Sequence, residues 1–111
     1  MIEIEAVFDS DGVLRACKAS GHAGVGKIGN DIVCSAVTVL IRTAFNVLTD
    51  KSGITIRGGA PERGQVWLEA DYETEGRDFL FAVGVFLKDG LKSVADEYPD
   101  NCRFDITERR N

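Results

Sequence analysis

Residues 2–8 of the chain read Ile-Glu-Ile-Glu-Ala-Val-Phe, with Ile2, Ile4, Ala6 and Phe8 on one side of a two-residue period and Glu3 and Glu5 on the other. That pattern belongs to a half-buried strand, because successive side chains of an extended chain point to opposite faces of a sheet. Asp9-Ser10-Asp11-Gly12 follows directly. Gly and Asp tolerate the positive φ angles of a tight reversal, so a second strand over residues 13–20 is expected to pair back antiparallel. A chain that opens with such a hairpin is not laying down a parallel βαβ array. This constrains every later motif.

Beyond the hairpin, Val33, Ala36, Val37, Leu40, Ala44, Val47 and Leu48 recur at three- and four-residue steps. The spacing predicts a helix over residues 31–48, capped by Asn30 or Asp31. Ile32, Val39, Ile41 and Phe45 make its other faces apolar too, so it should be covered on more than one side. A short strand over 54–57, a loop at Gly58-Gly59-Ala60-Pro61, and a strand through Val66, Leu68, Ala70 and Tyr72 come next. Leu80, Val83, Leu87, Leu91, Val94 and Tyr98 stripe a second helix over 77–98, stopped by Pro99. Cys102, Phe104 and Ile106 mark a last strand. The expected architecture is α+β, an α/β sandwich of one mixed, largely antiparallel sheet with two helices in the order β-β-α-β-β-α-β. Residues 1–111 are expected to form one domain.

Composition removes whole classes of function. A net charge of −5 argues against direct nucleic-acid binding, which usually shows a basic stripe. No apolar run approaches the roughly 18 residues that span a bilayer, so no membrane association is expected. The N-terminus has no basic region or cleavage site, so no signal peptide is expected. Three scattered cysteines, Cys17, Cys34 and Cys102, do not make a disulfide framework and read as free thiols in the cytoplasm.

The segment from Gly21 to Cys34, GHAGVGKIGNDIVC, admits two chemistries. Gly24-x-Gly26-x-x-Gly29 has dinucleotide-fingerprint spacing, but the strand before it belongs to a hairpin and no acidic ribose ligand follows the next strand. The P-loop variant fails because Ile28, not Ser or Thr, follows Lys27. The other chemistry uses the ends. Cys34 is expected in the first turn of the helix, where free N–H groups and the helix dipole favour a thiolate. His22 ends the preceding strand, and the glycine-rich loop can bring its imidazole to the sulfur. A Cys beside a His is the minimal machinery for acyl transfer, and amides near Cys34 and Ser35 could receive the oxyanion. A buried structural Cys with a surface His is the plainer reading, and residue types alone leave both open.

The residues themselves carry a resemblance. Gly21-His22-Ala23, then Gly29-x-Asp31-x-Val33-Cys34-Ser35-Ala36-Val37 and Leu40, resembles the bacterial ribosomal-processing cysteine protease family. Length, element order and Tyr98-Pro99 before the last strand are similar as well. The resemblance implies a cytoplasmic, homodimeric endopeptidase without cofactor. Its substrate would be the N-terminal segment of a large-subunit ribosomal protein, from which it removes a short extension after an aromatic residue. It matches Cys34 to the nucleophile, His22 to the general base and Asp31 to a supporting acidic position. Thr38 stands where many relatives carry Ser, keeping the hydroxyl and adding a methyl. The rival expectation is a non-catalytic ribosome-associated binding module with the same fold.

Other features weigh less. One His and three scattered Cys lack the paired spacing of a zinc site, so no metal is expected. Cys17 and Cys102 read as small apolar fillers. Glu69, Asp71, Glu73 and Glu75 form a solvated row, or an electrostatic guide for a basic substrate, with Trp67 beside it. Gly24, Gly26 and Gly29 are expected to make the loop a mobile lid over an extended peptide.

Overall fold

The computed structural model describes residues 1–21, 28–62 and 64–110. The elements run β1 (Ile2–Asp9), β2 (Leu14–Ser20), α1 (Ile28–Leu48), β3 (Ile54–Gly59) and β4 (Gln65–Tyr72). A single 3-10 turn (Thr74–Gly76), α2 (Arg77–Glu97) and β5 (Cys102–Arg109) complete the order, and the side chains of α1 are described from Ile32 onward. The five strands form one sheet in the order β3-β4-β2-β1-β5. Only β1 and β5 pair in parallel; the other three pairings are antiparallel. This is the expected mixed sheet with two helices.

The N-terminal alternation becomes a two-layer core. Ile2, Ile4, Ala6 and Phe8 are buried with Leu14, Cys17 and Ala19 of β2, while Glu3, Glu5 and Lys18 are exposed. Val33, Val37, Ile41 and Leu48 of α1 and Leu80, Leu87 and Leu91 of α2 join the same cluster. Each helix therefore lays its fully apolar stripe on one face of the sheet. Leu40 and Phe45 pack half-buried against this cluster, whereas Ile32, Val39 and Val47 are exposed.

Glycine in the middle of α2 costs helix stability, and the packing explains it at Gly84. A Cβ there would stand 2.9 Å from Leu14 Cβ, so the helix backbone rides directly on β2. Gly84→Leu should lower the unfolding free energy by about 2 kcal/mol through overpacking. A urea melt reads this as a lower midpoint at unchanged slope; an unchanged midpoint would mean that α2 can lift off β2 at no cost.

One buried acid fastens the end of β1. Asp9 is 2% exposed. Its Oδ1 accepts the N–H groups of Asp11 (2.9 Å) and Val13 (3.1 Å), and its Oδ2 accepts the Tyr72 hydroxyl at 2.6 Å. Arg15 Nη1 lies 3.7 Å from the same carboxylate and its guanidinium stacks over the Tyr72 ring. Burial alone would raise this carboxyl's pKa. The Tyr72 hydroxyl, the two amides and Arg15 more than offset that and hold it below the ordinary 3.8.

Two boundaries differ from the sequence expectation. The helix expected to begin at residue 31 starts at Ile28. The glycines read as a loop, Gly58 and Gly59, instead extend β3 and pair with Leu68 and Trp67.

Candidate active site

The thiols separate cleanly by environment. Cys17 sits on β2, 1% exposed, and burial pushes its thiol pKa up to about 12. Cys102 opens β5, 4% exposed, and burial raises its thiol as well. Both fill the core, as small apolar residues do. Cys34 is only half-buried and packs against the edge of the same core. Thiolates do the chemistry of cysteine, so the two buried thiols are inert and Cys34 is the reactive candidate among them.

α1 places Cys34 by anchoring the residues around it. Val33 and Val37, at 0% and 1% exposure, lock that stretch of helix onto the sheet. Ser35 turns to solvent and Thr38, one turn on, is half-buried. The bounds of α1 correct the expected first-turn location: Cys34 is the seventh residue of a helix that starts at Ile28. Only the first four N–H groups of a helix are free, so the amides of Cys34 and Ser35 belong to the helix ladder. The dipole's influence falls off within the first turn. Asn30 and Asp31 likewise lie inside the helix rather than capping it.

The base expected from sequence, His22, lies outside the described residues, together with Gly24 and Gly26 and the lid assigned to them. Gly29 is in the helix backbone, and the side chain of Asp31 also lies outside the described residues. The described geometry frames that segment on both sides. It leaves β2 at Gly21, whose N–H donates to the Gly64 carbonyl (3.1 Å) just before β4, and it resumes at Ile28 in the helix that carries Cys34.

The acidic row lies at the surface, with local partners for three of its four residues. Glu69 pairs with Arg57 at 2.8 Å, Asp71 with Arg15, and Glu75 accepts a hydrogen bond from Ser52 at 2.7 Å. All four residues are exposed, as a solvated row should be, and two of the four charges are paired with arginines. Trp67 and Phe45 are among the residues that line a groove between α1 and the β3–β4 hairpin. Phe45, one of the apolar residues outside the main stripe of α1, lays its ring against Gly58, and that glycine is the sequence signal for the contact. Among the described residues, no group of three His, Cys, Asp or Glu side chains is placed to hold a metal, and no helix is long and apolar enough to cross a membrane.

A mixed sheet with two helices and one partly exposed thiol on the first helix is what the structure offers, and comparison with known proteins gives the family. The family model for cysteine protease Prp matches residues 1–103, and the chain belongs to that family. It is a cysteine protease. The fold is shared with SMU.848 from Streptococcus mutans at 24% identity and a TM-score of 0.77, over 98% of this chain and 96% of that one. It is also shared with an essential ribosomal processing protease, Prp, from S. aureus in complex with a substrate peptide. The TM-score there is 0.80 at 18% identity, over 96% of this chain and all of that one. The S. aureus protease with a covalently linked product peptide superposes with a TM-score of 0.77, again at 18% identity. No curated protein sequence matches the chain.

Proposed function

We propose that this protease is an endopeptidase that removes the short N-terminal extension of a large-subunit ribosomal protein, with Cys34 as nucleophile and His22 as general base. The observation that carries the assignment is the contrast among the thiols: of three, only Cys34 is accessible, and it stands in the motif that resembles the family's. The described substrate and product complexes of the S. aureus protease, the latter covalently linked, support the same chemistry. In the reaction, His22 takes the Cys34 proton and the sulfur attacks the scissile carbonyl carbon, forming a tetrahedral oxyanion. Collapse breaks the C–N bond, the imidazolium gives its proton to the leaving amine, and a thioester remains on Cys34. Water, deprotonated by His22, then releases the new carboxylate and restores the thiol. The Cys34 amide, bonded within the helix, is not one of the oxyanion donors. Asp31 orients the site, and Thr38 narrows it.

The family reading also brings a cytoplasmic homodimer with residues 1–111 as one protease domain. Exposed Ile32, Val39 and Val47 on α1 and Phe86 on α2, 71% exposed, support association. The test incubates the protein with the host's large-subunit ribosomal proteins and reads their N-termini by mass spectrometry. A short extension should disappear with the native protein and persist with Cys34→Ala and with His22→Ala. Equal trimming by Cys34→Ala would sink the proposal.

A further inference from the structure

Seven to eleven residues beyond Cys34, α1 borders a groove of about 230 Å³. α1 lines it through Phe45, with the fully buried Ile41 beneath, and the β3–β4 hairpin lines it through Val66 and the main chain at Gly58, Gly59 and Trp67. With 3.6 residues per turn, Ile41 and Phe45 fall within about 20° of Cys34 around the helix axis. Thiol and groove therefore share one side of α1. Among the described residues β3 is the outermost strand at this end of the sheet.

The groove is built into the backbone. A Cβ at position 58 would stand 2.7 Å from the Phe45 ring and 2.8 Å from the Trp67 carbonyl oxygen, so only glycine lets the ring lie against the strand. Arg42 stands at the rim, exposed. Among the described residues it has no acidic partner, whereas Arg15, Arg57, Arg77 and Arg103 each have one. An apolar hollow with one uncommitted guanidinium beside it suits an apolar side chain flanked by a peptide carbonyl. The size agrees, since a dry cavity of about 150 Å³ already holds a benzene ring.

Distance fixes the register. At about 1.5 Å per residue the groove spans about 10 to 16 Å from Cys34 along the axis. An extended peptide at about 3.3 Å per residue covers that in three to five residues. We infer that the groove is a specificity subsite for one large apolar side chain of the substrate, three to five residues from the scissile bond, with Arg42 donating to the main chain beside it. The inference rests on the reading of Cys34 as nucleophile.

The experiment uses a dodecapeptide spanning the bond that the native protein cuts, with alanine placed in turn at the third, fourth and fifth positions on either side. One alanine should raise KM by about 10- to 100-fold, the range expected for burial of one apolar side chain, with kcat nearly unchanged. Asn46→Trp and Ala60→Phe, both at exposed positions lining the groove, should impose the same loss on the parent peptide and none on that alanine peptide. Unchanged KM across all positions, or parent cleavage at native KM by both filled variants, overturns the subsite. A second arm needs no turnover: N-acetyl-leucine amide should shift the amide resonances of Gly58, Gly59 and Val66 in the native protein and not in Asn46→Trp. Missing shifts in the native protein overturn the groove, whereas shifts without any peptide cleavage overturn only the endopeptidase reading.

Discussion

Cys34→Ala should lower kcat/KM for peptide cleavage by at least about 10³-fold, because removal of a nucleophile leaves only binding and oxyanion stabilisation. The fold should survive, since Cys34 is half-buried at the edge of the core and alanine is a good helix former. Circular dichroism and a thermal melt close to native would separate loss of chemistry from loss of structure. His22→Ala should cost about as much, and the double variant no more than the worse single, because a nucleophile and its base act as one unit. Additive losses in the double variant would mean that His22 serves something other than the thiol. Stopped assays on a peptide ending its first half in an aromatic residue provide the measurement.

Asp9→Ala should cost the most stability of any single side-chain truncation at the surface of the core, about 3 kcal/mol, as removing one partner of a buried charge network does. It leaves the Val13 amide and the Tyr72 hydroxyl without their acceptor and Arg15 without one of its two carboxylates. For a chain of this size the melting temperature should fall by about 10 °C or more. The pH dependence follows from the direction of each shift. Asp9 titrates lower in the folded protein than its ordinary 3.8, so its contribution is complete above about pH 4 and drains as the pH falls through the folded value. Tyr72 is shifted upward from 10.0, chiefly by its bond to Asp9, so its contribution is complete below pH 10 and is lost as the pH rises through the folded value. Asp9→Ala should therefore flatten both limbs of the stability–pH curve. If the variant kept the native acid limb, the network would not be what holds β1 to β4.

Much of this was legible from the residues in order, for identifiable reasons. Two-residue alternation in β1 and the Leu80–Leu87–Leu91 stripe in α2 report burial directly, and burial is what the structure confirms. The partners of Asp9 were not legible. Its turn chemistry was local, but Tyr72 lies 63 residues away and meets it only once β4 takes its place beside β2. Gly58 and Gly59 read as a loop because glycine weakens a strand; here the Phe45 ring and the Trp67 carbonyl demand it at position 58. The early start of α1 was hidden by Gly29, a poor helix residue, and by Asn30 and Asp31, which favour caps. The placement of β5 parallel to β1 is set by how α2 crosses the sheet, which no local pattern records. For the candidate site, sequence singled out Cys34, and the buried environments of Cys17 and Cys102 strengthen that choice.

The most direct test of the account is where a substrate-like electrophile attaches. A short peptidyl chloromethyl ketone ending in phenylalanine, applied at neutral pH, should abolish cleavage with one adduct per chain. Peptide mapping by mass spectrometry should place it on Cys34, with Cys17 and Cys102 unmodified until the protein is unfolded. An adduct on Cys17 or Cys102 that stops cleavage while Cys34 stays free would contradict the account, as would full activity in a protein alkylated at Cys34.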